Sequence, residues 1–570
     1  MARVAIPACA FLLLATAVAR ADAPADDVLR LVPEDVGFCF AIHDLRGHAA
    51  TMEGSPFMKG FAASALGQTI VRCPLVQKLE QARQQLVSGL QIPWPELRDG
   101  VLGGEVALAY RPGPPDHPDQ EQGAILIRAP DAALLAKFVQ RLNDVQIKAG
   151  DVIKIEARSS DGVGYHCRVQ PGHNQFYYLN GSVLVFTSEE AFLQRILKRV
   201  HGPGPDAWSI GKQMRLLGAD AGLARLWINP RAFEAALAEK VNQTKGQEAV
   251  PLRTVLSYWK ALDGIGVSLS LDKRDIVARF GAAFQLERMP AGGRPLIADR
   301  GKVSGLWDAF PDDALLATAG HLDTAALNAF LSDFLPEAER LKAAERVKSD
   351  AAGLFGNEKG LLPFLGPDWG LCITAGSAEA RFPNCLLALR LQTGVDAKKA
   401  RQNAENTLQT AAQYATVIYN QNANGDQLAV KTDVRDGAEI RYLGGSKLLP
   451  AGLQPAFAVK EGYMLVASSP RAIDSFHVPE ANRVANFRPG ETPIARVGLS
   501  GWASFLKEKR TLLSSWLSEA VGLPAAEAER RLAQAVSLLE LFTSAELVKT
   551  SGPGRIGLTL RLHTAQPLRN

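Results

Sequence analysis

Pro33-Glu34-Asp35-Val36-Gly37-Phe38-Cys39-Phe40-Ala41-Ile42-His43 has a counterpart later in the chain, Pro311-Asp312-Asp313-Ala314-Leu315-Leu316-Ala317-Thr318-Ala319-Gly320-His321. Both stretches open with a proline and an acidic pair, continue through an apolar run and close with a histidine. The same residue types therefore recur at the same spacing in two distant parts of the chain. This recurrence predicts that one domain occurs twice.

Further matches keep the same order along the chain at a nearly constant separation. They are Leu102–Glu105 with Leu365–Asp368, the apolar run ending at Arg128 with the one ending at Arg390, Asn180–Ser188 with Glu461–Ser469, Ala224–Leu226 with Ala495–Val497, and Gly281–Phe284 with Gly557–Leu560. The separation is far longer than the roughly 20–50 residues of solenoid repeats. We expect two whole domains in tandem.

Local patterns in each half predict an α+β fold, in which a largely antiparallel sheet carries amphipathic helices packed over it. Short strand-like runs follow one another between residues 152 and 187, and short turns between them require antiparallel pairing. Ser188 is predicted to cap the helix that follows these strands. In the second half Ser469 takes that position and Pro470 the first helical position.

The length of 570 residues also favours more than one domain. We expect a signal peptide over residues 1–21, a first domain over 22–290, a linker rich in glycine, proline and charge over 291–302, and a second domain over 303–570. The signal peptide is indicated by Arg3, an apolar run over residues 4–18 and the small-x-small site Ala19-Arg20-Ala21. The protein is therefore predicted to be exported, to a periplasmic or extracellular location.

Composition excludes some partner classes. Loss of Arg3 and Arg20 with the signal peptide lowers the formal net charge from +4 to +2. A net charge this small does not indicate a nucleic-acid-binding protein. After residue 21 no apolar run approaches the length of a membrane span. We expect no nucleic-acid partner and no membrane span in the mature chain.

The mature chain keeps five cysteines, an odd number whose spacing fits no metal site: Cys39, Cys73, Cys167, Cys372 and Cys385. Cys372 and Cys385 are candidates for a pair on neighbouring strands. Buried thiols packed as small apolar groups are the favoured interpretation.

Motif searches predict no catalytic, cofactor-binding or metal-binding residue. Gly552-Pro553-Gly554-Arg555-Ile556-Gly557 spells a dinucleotide motif, but it falls between two strand-like runs and is interpreted as a hairpin turn. Three Ser-x-x-Lys tetrads begin at Ser209, Ser270 and Ser504. Only Ser504 and Lys507 lie in a predicted helix, and the companion motifs of serine acyltransferases are absent from the sequence.

Charged residues at matched positions are the remaining candidates. His43 and His321 each end an apolar strand, and a nearby carboxylate would allow metal binding or base catalysis. A locally bonded strand-end histidine is the favoured interpretation. The matched cations are Arg225 with Arg496 and Arg128 with Arg390, for which an ion pair within the domain is favoured over binding of an anionic headgroup.

The start of the mature chain resembles a known family. Leu31-Val32-Pro33-Glu34-Asp35 leading to Ala41, followed by Ser-Pro-Phe-Met-Lys-Gly at Ser55–Gly60, is similar to the opening of large secreted bacterial proteins classed as a domain of unknown function. The resemblance covers about thirty residues and implies export from a bacterium. It brings no activity and no catalytic residues.

Three functions remain open from sequence. The preferred hypothesis is a non-enzymatic binding or structural protein of the bacterial cell envelope, with an unknown protein or small-molecule partner and no cofactor. The second is a carrier for a hydrophobic ligand such as a lipid, enclosed between sheet and helices. The third is a hydrolase whose site is assembled from residues distant in sequence.

Overall fold

The computed structural model describes residues 28–200, 209–298, 302–321, 323–335, 364–377, 379–394, 397–422, 426–447, 449–479 and 490–568. The predicted signal peptide and the predicted start of the mature chain lie outside these residues. The chain divides into a first unit, Met1–Pro290 with Gly552–Asn570, and a second unit, Ala291–Ser551. Both units combine antiparallel strands with helices, so the predicted α+β class is confirmed.

The sheet of the first unit includes strands from both ends of the chain. Its strands are β1 (Phe38–His43), β2 (Glu105–Arg111), β3 (Gln122–Arg128), β4 (Lys154–Ser160), β5 (Val163–Gln170), β6 (His173–Asn180), β7 (Val183–Thr187), β8 (Ala224–Ile228), β9 (Leu262–Leu271), β10 (Asp275–Phe284) and β20 (Arg555–Thr564). They pair antiparallel in the order β4-β5-β6-β7-β3-β2-β1-β8-β9-β10-β20.

Helices of the first unit connect and cover these strands. They are α1 (Leu45–Met52), α2 (Pro56–Ala63), α3 (Ala65–Val71), α4 (Pro74–Leu90), α5 (Ala132–Lys148), α6 (Glu190–Leu197), α7 (Ile210–Leu216), α8 (Glu234–Gln243) and α9 (Ala249–Ala261). Shorter helical turns occupy Val28–Leu31, Trp94–Glu96, Leu97–Val101, Pro118–Gln120, Pro230–Phe233, Gly246–Glu248 and Leu286–Arg288. The core forms where α6 buries Phe192, Leu193 and Ile196 against small strand residues such as Ala107.

The second unit has the strands β11 (Leu316–His321), β12 (Leu365–Thr374), β13 (Asn384–Leu391), β14 (Ala429–Arg435), β15 (Ala438–Gly444), β16 (Ala456–Lys460), β17 (Tyr463–Ala467), β18 (Glu491–Val497) and β19 (Phe542–Gly552). They pair antiparallel in the order β14-β15-β16-β17-β13-β12-β11-β18-β19.

The helices of the second unit are α10 (Arg294–Ala298), α11 (Leu306–Ala309), α12 (Thr324–Asp333), α13 (Ala397–Asn422), α14 (Pro470–Asp474), α15 (Leu499–Glu508), α16 (Arg510–Val521) and α17 (Ala525–Leu539). Its core joins Ile473 and Phe476, at and just beyond α14, to Leu306 of α11 and to alanines such as Ala388 in the sheet. The small strand residues let the helical segments approach the sheet closely.

The two units repeat one order of elements and one set of pairings. β11 pairs with β12 and β18 as β1 pairs with β2 and β8. The hairpins β4-β5 and β14-β15 both turn through Asp-Gly, at 161–162 and 436–437, with positive φ at both residues. Such Asp-Gly turns match the twist of an antiparallel pair. The strands β1–β9 therefore pair in the same order as the strands β11–β19.

One sequence match is displaced by a residue. The hairpin after β6 occupies residues 181–182 and the one after β16 residues 461–462, so Asn180 corresponds to Lys460 rather than Glu461. The predicted cap Ser188 is accordingly wrong, since Glu189 holds the N-cap position of α6 and its N–H donates to Thr187 Oγ1. Ser469 does cap α14, because its hydroxyl accepts from the Ala472 N–H.

The observed limits of the units differ from the expected boundaries in two places. β20 pairs with β10, from Asp275 opposite His563 to Ala283 opposite Arg555, which places the end of the chain in the first unit. The expected linker contains α10, which contacts α12 and belongs to the second unit. Residues 299–301 of that linker lie outside the described residues. None of the described helices combines the length and hydropathy needed to cross a bilayer.

Candidate functional site

The matched histidines lie opposite acidic residues in both sheets. His43 pairs across the ladder with Glu105, and His321 with Asp368. Both histidines are the last residues of their strands. The following acids cap helices, since Asp44 accepts from the Gly47 N–H of α1 and Asp323 from the Ala326 N–H of α12. These two carboxylates therefore accept hydrogen bonds from the backbone as helix caps.

In the first unit the acid is a buried carboxylate with arginine partners. The Glu105 side chain is 1% exposed, and Arg225 Nη2 lies 2.6 Å from its Oε1. Arg128 Nη2 lies 4.0 Å from Oε2, which also accepts the Val28 N–H at 3.0 Å. Burial of a carboxylate requires such compensation. The cluster fixes the start of the described chain to the sheet.

In the second unit the corresponding acid is compensated by different residues. The Tyr463 hydroxyl donates to Asp368 Oδ2 at 2.7 Å, and the Arg390 guanidinium lies 4.8 Å from the centre of the Tyr463 ring. Burial, followed by the hydrogen bond to Asp368, raises the pKa of the Tyr463 phenol. The phenol therefore keeps its proton at neutral pH and donates a hydrogen bond to Asp368, which is a structural role.

The two cation pairs behave differently. Arg128 and Arg390 occupy equivalent positions, opposite Val183 and Tyr463 respectively. The predicted equivalence of Arg225 and Arg496 is wrong, because β18 is shifted by two residues along β11. Arg225 faces Ala41, whereas Arg496 faces Ala317, the position that in the first unit faces Trp227.

Because of this two-residue shift of β18, Arg496 pairs with residues that precede β11. Its Nη1 lies 2.8 Å from Asp312 Oδ1, and its Nη2 donates to the Pro311 carbonyl at 2.9 Å. A shift of two keeps a side chain on the same face of the sheet, which explains why residue patterns did not show it. Both arginines form ion pairs within their units, the role that the sequence favoured.

The remaining sequence candidates have local roles. His321 Nδ1 lies 3.1 Å from the Lys302 carbonyl oxygen. Lys507 pairs with Glu540, and the Ser504 hydroxyl donates to the Ser500 carbonyl at 3.1 Å. Pro553 and Gly554 form a turn between β19 and β20. No group of three His, Cys, Asp or Glu suited to hold a metal occurs in the described ranges.

The five cysteines that the structure describes are all free thiols. Cys372 lies opposite Leu386 and Cys385 opposite Ile373, so the two cysteines point to opposite faces of the sheet. Cys39, Cys167 and Cys372 are buried, as the packed-thiol interpretation predicts, while Cys73 and Cys385 are half-buried. The candidate pair is therefore excluded by strand geometry.

A cavity of about 420 Å³ lies in the second unit between α11, the end of β12, the start of β13 and α14. Its polar lining consists of Asp308, Thr374, Ser377, Asn384, Arg471 and Ser475. The buried side chains of Phe310, Cys372 and Phe476 also line it. Clefts of this size, with an apolar wall and a few polar groups, are typical of small-molecule sites.

Equivalent positions in the first unit show why space is left in the second. Arg111 ends β2 as Thr374 ends β12. Arg195 corresponds to Ser475, since the flanking Ile196 and Phe476 are both core residues. In the first unit both arginines pair with Asp35, Arg111 at 2.9 Å. Thr and Ser at these positions remove two guanidinium groups from the corresponding space.

The electrostatics of the cavity centre on Arg471, which stands where the first unit has Ala191. Its guanidinium forms no hydrogen bond or ion pair with any residue that the structure describes. The Asn384 Oδ1 accepts from the Ser469 hydroxyl at 3.1 Å, which orients the Asn384 amide as a donor group. The cavity therefore carries one cation, Arg471, one acid, Asp308, and several neutral hydrogen-bonding groups.

The cavity thiol has no nucleophilic character at neutral pH. Burial raises the pKa of Cys372 to about 12, although the Arg496 charge opposes the increase. The thiolate is the reactive form of cysteine, and it is scarce at pH 7. The cavity can bind a ligand through hydrogen bonds and charge.

A shallower groove of about 690 Å³ lies in the first unit beside the start of α5. Two of its acids have partners, since Asp131 caps α5 through the Leu134 N–H and Asp99 pairs with Arg98 at 2.7 Å.

Sequence reasoning did not find this cavity, because it searched for charges that the two halves share. The informative positions are those where the halves differ, namely Arg111 against Thr374 and Arg195 against Ser475. Recognising them required the strand register and the one-residue displacement at the hairpin before α14. The signal available in the sequence was the replacement of arginine by a small residue at these two positions.

No family model matches the chain, and no curated protein does. Among solved structures, crystal forms I and III of TP0453 align with TM-scores of 0.22 and 0.23 and sequence identities of 8% and 10%. Each alignment covers 46% of this chain, with 79% and 80% of the other chain. A likeness at this level carries no argument about fold or function.

Proposed function

We propose that this chain is an exported, non-enzymatic binding protein of the bacterial cell envelope, whose second unit binds a small polar molecule. The signal-like residues 1–21 and the resemblance of the following residues to secreted bacterial proteins support export. The cavity lined by Arg471, Asn384 and Ser475 supports binding.

The observation that carries the proposal is the contrast between equivalent places in the two units. In the first unit Arg111 and Arg195 both form an ion pair with Asp35. In the second unit Thr374 and Ser475 leave an open cavity beside Arg471, whose guanidinium has no partner in the part of the chain that the structure describes. A duplicated domain in which one copy keeps a structural ion cluster and the other copy binds a ligand accounts for this difference.

The lining favours a polar ligand over a lipid. Carriers of hydrophobic molecules surround them mostly with apolar side chains. Here charged Asp308 and Arg471, together with hydroxyl and amide groups, share the lining with Phe310 and Phe476. A lipid tail would desolvate these polar groups without replacing their hydrogen bonds, which costs free energy.

The lining also favours binding over catalysis. A covalent mechanism needs an activated nucleophile beside a general base. The Cys372 thiol is held protonated by burial. The matched histidines end β1 and β11 next to the capping acids Asp44 and Asp323.

The test is a screen of small polar molecules by saturation-transfer NMR, comparing the wild type with Ser475→Arg. This substitution restores the arginine that the first unit carries at the equivalent position, and Asp313 corresponds to its partner Asp35. We expect ligands that bind the wild type and lose their signal with the variant.

Ser515→Arg is the matched control, because Ser515 is an exposed residue of α16 and does not line the cavity. It should leave all ligand signals unchanged. If no ligand distinguishes Ser475→Arg from the wild type while the variant remains folded, the cavity is not a binding site and the proposal fails.

A further inference from the structure

We infer that the ligand of the cavity is a polyhydroxy carboxylate, a molecule with one carboxylate on a short hydroxylated carbon chain. This inference rests on the proposed binding function and adds the chemical class. The residues that carry it are Arg471 for the carboxylate and Asn384, Thr374 and Ser377 for the hydroxyl groups.

Arg471 sets the sign of the ligand's charge. A guanidinium offers parallel N–H donors that match the two oxygens of a carboxylate. Since no described residue uses the Arg471 guanidinium, a bound carboxylate would displace no partner among the described residues. A cationic ligand is disfavoured, because the positive charge of Arg471 in the same cavity would repel it.

The number of available charges distinguishes a carboxylate from a phosphate. Asp308 lines the same cavity but has an interaction of its own within the protein, so Arg471 is the charge that the cavity offers to a ligand. A phosphate carries more negative charge than a carboxylate at pH 7. The single arginine therefore suits a monoanion.

The remaining groups suit hydroxyls along a carbon chain. The Thr374 and Ser377 hydroxyls can both donate and accept, and the Asn384 amide donates while its carbonyl holds Ser469. Phe310 and Phe476 give an apolar wall for the C–H groups. A volume of about 420 Å³ accommodates a chain of six carbons with its oxygens.

The experiment is isothermal titration calorimetry of the full mature chain with gluconate and with sorbitol. The two probes have the same number of carbons and nearly the same hydroxyl pattern, and only gluconate carries a carboxylate. We expect gluconate to bind about tenfold or more tightly than sorbitol, because a hydrogen-bonded charge pair is lost with the neutral probe.

Arg471→Leu should abolish the preference for gluconate, whereas Arg401→Leu should preserve it. Arg401 is an exposed arginine of α13 that pairs with Glu405 at 2.9 Å, outside the cavity. Equal binding of both probes to the wild type, or no binding of gluconate, overturns the ligand class. If that happens while other ligands still lose their signal with Ser475→Arg, the binding function stands without this class.

Discussion

A single buried carboxylate organises one end of the first sheet. Glu105 is enclosed by β1 and β3, and its two oxygens are used by Arg225, Arg128 and the Val28 N–H. Removal of one partner from a buried ion pair leaves the other charge without compensation. The stability of the first unit should therefore depend on this residue more than on exposed acids.

Glu105→Gln should lower the free energy of unfolding by about 3 kcal/mol, since Arg225 would remain charged beside a neutral amide. Chemical denaturation followed by tryptophan fluorescence measures the change. Glu121→Gln is the matched control, because Glu121 is exposed and accepts a hydrogen bond from the Tyr110 hydroxyl at 2.9 Å. Equal effects of the two substitutions would contradict this role for Glu105.

The Cys372 thiol gives a prediction about pH. Burial raises its pKa from 9.0 to about 12. Between these values the unfolded chain loses the proton while the folded protein keeps it, so stability falls as pH rises through this window. In the native protein at pH 8, iodoacetamide should modify half-buried Cys73 much faster than buried Cys372.

Mass spectrometry of the alkylated protein measures both rates, and unfolding in denaturant should make them similar. Modification of native Cys372 as fast as Cys73 would show that the thiol is neither buried nor protonated as described.

At the scale of elements, small shifts in register decide which side chains meet. One residue separates the cap of α6 at Glu189 from the predicted Ser188. Two residues separate Arg496 from the position of Arg225. The two-residue shift leaves the hydrophobic pattern of β18 intact, yet it changes the partners of Arg496.

The displaced cap predicts a contrast between two serines. Ser469→Ala should cost about 1 kcal/mol of stability, because the hydroxyl caps α14 and donates to Asn384. Ser188→Ala should have little effect, since Ser188 precedes the N-cap position. Thermal unfolding of the two variants compares them directly, and a larger loss with Ser188→Ala would contradict the observed register.

The predictable part of the fold was local. Short strand-like runs separated by short turns indicated antiparallel hairpins, and the repeated Pro-acid-acid-apolar pattern located β1 and β11. Partners distant in sequence, such as Tyr463 for Asp368 or Asp312 for Arg496, depend on strand order and register. The cavity depends on both strand order and register, so a short sequence motif could not reveal Arg471.

At the scale of the whole chain, the last strand belongs with the first unit. β20 pairs with β10 along its length, and His563 Nδ1 lies 2.7 Å from Asp275 Oδ1. Truncation after Ser551 should therefore expose β10 as an open edge, although the deletion lies at the other end of the sequence.

Hydrogen exchange measures this effect, because the amides of residues 275–284 that bond β20 should lose protection in the truncated chain. Amides of β2 and β3, at the centre of the same sheet, serve as the internal control. Unchanged protection in β10 would contradict the assignment of β20 to the first unit.

The repeated order of elements places the Asp35 ion cluster and the Arg471 cavity at equivalent positions of two similar units. The central claim is that the second position binds a ligand and the first is closed. The most direct measurement is a crystal structure of the protein soaked with gluconate. We predict ligand density in the cavity, with the carboxylate on Arg471, and none there in Ser475→Arg crystals. Density only at other places, or an unchanged cavity in soaked wild-type crystals, would contradict the account.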